Sequence, residues 1–180
     1  MNKYIVLLRG INVGGNNIVS MKELKKLLEQ NGFQEVVTYI NSGNIIFKCE
    51  NSDNESLKSY VEALILEAFM LKLTVMLISV EELQEAINNA PDWWDADQES
   101  RHNAIFVISP VTVEDVVREV GDYKPEYEKV GSYGRVIFWS APNKTFSRTR
   151  WSKIVGMKSV YNNITIRNSN TVKKLLKLCE

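Results

Sequence analysis

Leu7-Leu8-Arg9-Gly10-Ile11-Asn12-Val13-Gly14-Gly15-Asn16-Asn17 is an apolar run that passes without pause into a loop of glycine and asparagine. With Tyr4-Ile5-Val6 before it, the run reads as a strand buried on both faces, because no polar residue alternates with the apolar ones. The loop that follows has glycines for left-handed backbone and asparagines able to satisfy loop carbonyls. Flanked by Arg9 and leading to a helix N-terminus, it also has the parts for holding an anion. It is not a Walker loop, since Asn16-Asn17 replaces Lys-Ser/Thr, nor a Rossmann fingerprint, since G-x-G-x-x-G is absent.

Working outward, Ser20-Met21-Lys22-Glu23 is a capping box, and Leu24, Leu27 and Leu28 give the helix behind it an apolar stripe that Asn31-Gly32 closes. Residues 35–40 and 45–49 read as strands joined by the turn Asn41-Ser42-Gly43-Asn44. Asp53 caps a second helix reaching Leu71, residues 73–78 form a fourth strand, and Ser79-Val80-Glu81-Glu82 opens a third helix. The order β-α-β-β-α-β plus a helix is the split βαβ pattern of ferredoxin-like domains. It recurs: strand 104–109, helix 112–120, a hairpin of 127–130 and 136–140, a helix over 146–157, strand 163–166, and a helix over 171–178 capped by Asn168 or Ser169. The expectation is an α+β chain of two tandem ferredoxin-like subdomains with antiparallel sheets, covering 1–90 and 103–180 and joined by a linker over 91–102. In that linker Pro91-Asp92-Trp93-Trp94-Asp95-Ala96-Asp97 breaks all periodicity. Its tryptophans read as filling an apolar gap, and a metal site from Asp92, Asp95 and Asp97 lacks a complete ligand set, so no metal is expected.

The chain has 180 residues, 44% of them apolar, enough for a sizeable core and excluding a disordered or fibrous class. No apolar run is long enough to span a bilayer or form a signal-peptide core, so a cytoplasmic protein without membrane association is expected. Cys49 and Cys179 stand apart with no C-x-x-C spacing, which suits a reducing compartment. Formal net charge is zero, but residues 1–100 hold 8 Lys+Arg against 15 Asp+Glu, and residues 101–180 hold 14 against 7. From Lys129 to Cys179 there are 11 basic residues and no acidic one. That half can dock on an acidic surface, of this chain or of another copy, or bind an anionic ligand.

The opening run Leu7 to Asn17, then Met21 and Leu24, then Thr38-Tyr39-Ile40-Asn41-Ser42-Gly43-Asn44, resembles the start of an uncharacterised bacterial family, domain of unknown function 1697. Ile166-Arg167-Asn168-Ser169-Asn170-Thr171-Val172 resembles its closing motif, with Ser169 where the family usually has tryptophan. The resemblance implies a two-part α+β fold and a small cytosolic protein, and no particular activity.

Two candidate sites follow from the topology. In the first half Arg9, Asn12, Asn16, Asn17, Ser42 and Asn44 should converge at one sheet edge. In the second, Arg101, His102, Asn143, Lys144, Ser147, Arg148, Arg167 and Asn168 should approach one another, a basic set suited to phosphate or carboxylate. Base stacking on an open sheet is disfavoured, because Ile45-Ile46-Phe47-Lys48-Cys49 lacks the aromatic pattern it needs. The leading expectation is a binding protein for an anionic ligand, a nucleotide, another anionic small molecule or a nucleic acid, through the basic half and without a resident cofactor. The rivals are an enzyme acting on a small phosphorylated or carboxylated metabolite, with His102 or Ser147 near the chemistry, and a scaffold that self-associates into a homo-oligomer. H-E-x-x-H, G-x-S-x-G and C-x-x-C are all missing.

Overall fold

A computed structural model describes residues 1–50 and 53–180. The chain forms two compact units, one of residues 1–83 with 175–180, the other of residues 84–174. Among the described residues there are two four-stranded antiparallel sheets and six α-helices, an α+β architecture.

The first sheet has the order β2-β3-β1-β4, from β1 (Asn2–Leu7), β2 (Gln34–Tyr39), β3 (Asn44–Cys49) and β4 (Met76–Ser79). Strand β1 lies between β3 and β4, placing Ile5 opposite both Ile46 and Ile78. One face, with Tyr4, Val6, Ile45 and Phe47, packs with Leu24 and Leu28 of α1 (Met21–Gln30) and with Val61 and Ile65 of α2 (Asn54–Phe69). Ile5 and Leu7 on the other face are equally buried, so β1 is covered on both sides as its unbroken apolar run requires. Strand β4 starts three residues later than the apolar pattern suggests. The Val75 N–H donates to Glu62 Oε1 at 3.0 Å rather than to a neighbouring strand. Helix α3 (Val80–Asn88) opens on the expected box, with Ser79 and Glu82 exchanging backbone N–H bonds at 3.0 Å each.

The second sheet repeats the arrangement as β6-β7-β5-β8, from β5 (Ser100–Val107), β6 (Lys129–Tyr133), β7 (Val136–Pro142) and β8 (Ile164–Asn168). Ile105, Val107, Ile137 and Trp139 pack with Val116 and Val120 of α4 (Val113–Val120), and with Trp151 and Ile154. Short helix α5 (Lys158–Tyr161) precedes β8, and α6 (Ser169–Cys179) follows it. The helix expected over 146–157 is instead two 3-10 stretches, Asn143–Arg148 and Trp151–Gly156. The cause lies outside the segment: the backbone N–H groups of Arg150 and Trp151 donate to the Glu128 carboxylate at 2.7 and 3.2 Å, not to carbonyls one turn back.

The segment expected as a linker, 91–102, belongs to the second unit. Its Trp94 is buried edge-on against Phe138, with centroids 5.1 Å apart, and its indole N–H donates to the Asn103 carbonyl at 2.9 Å. Strand β5 correspondingly begins at Ser100, paired with Pro142. Cys49 is buried and Cys179 half-buried. Among the described residues no helix is long and apolar enough to cross a membrane.

Candidate functional site

Of the first expected cluster, Asn12 reaches the β2–β3 turn. Asn12 Nδ2 donates to the Asn41 carbonyl at 2.9 Å and to the Val19 carbonyl at 3.0 Å, while its Oδ1 accepts from Val19 N at 2.9 Å. Asn17 Nδ2 donates to the Gly10 carbonyl at 2.8 Å. Buried Asn44 donates to the Tyr39 carbonyl at 2.9 Å and to Ser42 Oγ at 3.1 Å. These amides thus serve the loop's own carbonyls. Asn16 is exposed and Arg9 half-buried. An open cleft of about 470 Å³ beside them includes Asn12, Ser20, Lys22 and Asn41 in its wall.

The second unit holds a larger cleft of about 670 Å³ in which Arg101, His102 and Asn168 come together as their topology implies. Arg101 is clamped: its Nε donates to Asn143 Oδ1 at 3.1 Å, and its guanidinium lies 4.2 Å from the centre of the Phe146 ring. Among the described residues its two terminal nitrogens have no protein partner, and neither do the carboxamides of Gln98, Asn103 and Asn170, which share the cleft. Asn168 Oδ1 accepts the Thr171 N–H at 2.8 Å, capping α6.

His102 is buried. Its Nε2 lies 2.9 Å from the Asp97 main-chain oxygen, which can only accept, so Nε2 carries the proton. Nδ1 then accepts from the Ser140 hydroxyl at 2.6 Å. The Asp97 carboxylate stands 3.7 Å from Nε2.

The two acids of the wall are satisfied from within. Burial pushes the Asp95 carboxyl up, but hydrogen bonds from Lys173 Nζ at 2.5 Å and Ser169 Oγ at 2.6 Å outweigh it and hold the group below the usual aspartate value. Asp97 is likewise lowered, its desolvation overcome by the N–H groups of Ser100 at 2.7 Å and Glu99 at 2.9 Å.

Four expected members lie elsewhere. Arg167 is buried in β8, donating to Thr165 Oγ1 at 2.8 Å and to the Ile166 carbonyl at 2.9 Å. Desolvation draws its pKa down to about 10, which leaves it charged at neutral pH. Lys144, Ser147 and Arg148 are exposed on the first 3-10 stretch, with Arg148 directed over the Tyr127 ring at 5.8 Å. Asp95, Asp97, Gln98, Asn170 and Lys173 also line the wall; the sequence offered Asp95 and Asp97 only as metal-ligand candidates and did not single out the other three. The available signal was Asp97 placed two and three residues before the N–H groups of Glu99 and Ser100, a spacing for an aspartate-capped turn. Among the described residues no group of three or more His, Cys, Asp or Glu is placed to hold a metal ion.

The chain belongs to the family described as "Protein of unknown function (DUF1697)", whose model matches residues 1–138. Among solved structures it is similar to conserved bacterial protein SP0830 from Streptococcus pneumoniae, at 31% identity over 99% of each chain and a TM-score of 0.89. The first two RRM domains of yeast poly(U) binding protein Pub1 overlap it only at a TM-score of 0.24 and 11% identity, over 93% of this chain and 98% of that one. No curated protein matches the chain.

Proposed function

We propose that the second unit binds a small, polar, anionic ligand, with a nucleotide the leading class, in the cleft beside Arg101. The observation that carries this is the state of Arg101: its ring contact and its single hydrogen bond fix the guanidinium plane while both terminal nitrogens stay open to the cleft. A fork held in place loses less freedom on meeting a carboxylate or phosphate than a free one does. Three unspent carboxamides beside it offer donor and acceptor edges for the rest of the ligand. The wall also holds Asp95 and Asp97, so its charge is balanced, which favours a small ligand over a nucleic acid backbone. The cleft volume falls within the usual range for small-molecule sites, about 300–1,000 Å³. We read both units as ferredoxin-like, on the support of one strand order occurring twice, and the protein as a cytoplasmic one.

Calorimetric titration with nucleoside monophosphates and with ribose 5-phosphate tests the reading. Arg101→Ala should weaken binding by about 10- to 100-fold, the loss of a bidentate charged contact. Absence of binding by any of these, or an unaltered Arg101→Ala variant, removes it. A single-stranded oligonucleotide whose affinity falls steeply with salt would instead favour nucleic acid.

One observation favours a second reading, an enzyme. The Ser140 hydroxyl donates to His102 at 2.6 Å and His102 is oriented by Asp97, so a hydroxyl, a base and an orienting group are in sequence. Loss of turnover in both Ser140→Ala and His102→Ala during a screen of phosphate and carboxylate esters would support it. Retained turnover in Ser140→Ala would remove it.

A further inference from the structure

Ser140 opens on a different cavity from the one His102 lines. This second cleft, of about 370 Å³, has Trp93, Tyr127, Pro125 and Pro142 in its wall, and it shares Ala96, Asp97 and Ser100 with the polar cleft. One short stretch of chain, the segment that enters β5, is therefore a common wall of the two cavities.

Their chemistry is complementary. The polar cleft offers carboxamides and a guanidinium, whereas the second offers two flat aromatic rings and two prolines beside Glu126, Glu128 and Lys129. Trp93 is partly exposed yet its place is set from below by Gly131 of β6. A Cβ built there would lie 2.9 Å from Pro91 Cγ and 3.5 Å from Trp93 Cζ2, so bare backbone supports this turn of chain. Tyr127 is backed by the Arg148 guanidinium at 5.8 Å. At the floor, Ser140 spends its proton on His102, and its oxygen can still accept from a ring N–H or an exocyclic amine.

We infer that this second cleft is the subsite for the heteroaromatic ring of the same ligand whose anionic part meets Arg101, so that the pair of cavities takes a nucleotide base-inward. The inference rests on the binding reading above and names which part of the ligand goes where. Stacking on an aromatic side chain has a measurable and largely sequence-tolerant effect, so the subsite should raise affinity for all bases rather than select one.

The test is calorimetric titration of the full chain with AMP, CMP and ribose 5-phosphate, for the wild type and for Trp93→Ala and Tyr127→Ala. Expected is binding of both nucleotides at least about tenfold tighter than ribose 5-phosphate in the wild type. Each variant should narrow that gap while leaving ribose 5-phosphate affinity unchanged. Equal affinities for nucleotide and sugar phosphate in the wild type overturn the subsite while leaving the Arg101 reading intact. Variants that keep the full gap overturn it as well. Binding of none of the three removes both.

Discussion

Ser140 Oγ lies 2.6 Å from His102 Nδ1, across directly paired residues of β7 and β5. Both side chains are buried, and the main-chain oxygen of Asp97 fixes the tautomer from the far side of the ring. Removing either partner leaves a buried polar atom unsatisfied, at a cost of about 1–3 kcal/mol. Ser140→Ala and His102→Ala should each destabilise by that order, and the double variant by clearly less than their sum. Urea unfolding of the four proteins measures the coupling. Strict additivity would show that the contact contributes nothing specific.

Glu128 is 2% exposed, yet its carboxylate accepts four N–H groups: Lys124 N at 3.0 Å, Arg150 N at 2.7 Å, Trp139 Nε1 at 3.0 Å and Trp151 N at 3.2 Å. It fastens the start of the second 3-10 stretch to β7. Glu128→Gln keeps the shape but turns an NH2 towards donors, and should cost about 2–3 kcal/mol. Glu128→Ala, which strands all four donors, should cost more. Equal and small losses in denaturant midpoint would contradict this account.

Gly43 has φ +82°, and a Cβ there would lie 2.6 Å from Leu8 Cβ and 2.8 Å from Ile11 Cδ1. Gly14, at φ +57°, has no neighbour within 4 Å of the same built atom. Gly43→Ala combines left-handed strain with overpacking and should lose about 3 kcal/mol, against about 1–2 kcal/mol for Gly14→Ala. Thermal unfolding of the pair separates the two contributions, and matching melting temperatures would refute the steric one.

Asp95 is the acid whose titration should register in stability. Its folded pKa is lowered, so its contribution is complete above the unfolded aspartate value of about 3.9 and is lost as pH falls through the folded value. Asp95→Asn should therefore weaken the protein at pH 7 and show a shallower decline below pH ~4 than the wild type. Parallel acid limbs for the two proteins would count against the Lys173 and Ser169 contacts as the cause.

Residue patterns made the first unit's elements legible because its strands and helices are separated by glycine or cap signals, as at Gly32, Asp53 and Ser79. The meeting of Asn12 with Asn41 also followed from strand order alone. What escaped was governed by bonds remote in sequence. Nothing near residues 146–157 announces that Glu128 will claim two of their N–H groups. The aperiodic stretch from Pro91 to Asp97 reads as a connector until Trp94 finds Phe138. A quarter of the polar cleft's wall, Asp95 to Asp97, comes from that stretch, and the site was foreseen only through its β5 and β8 members. Arg167 shows the converse error: a basic residue at a strand end looks available to a ligand, but period-two alternation places it on the sheet face with Thr165, where it is buried.

All four tryptophans, Trp93, Trp94, Trp139 and Trp151, fall within the second compact unit. Intrinsic indole emission is therefore a private signal of that unit, while circular dichroism in the peptide region records both. Overlaying the two melting curves of the unlabelled chain asks whether the halves unfold as one cooperative body or in succession, and a ligand seated beside Trp93 would shift the optical curve first.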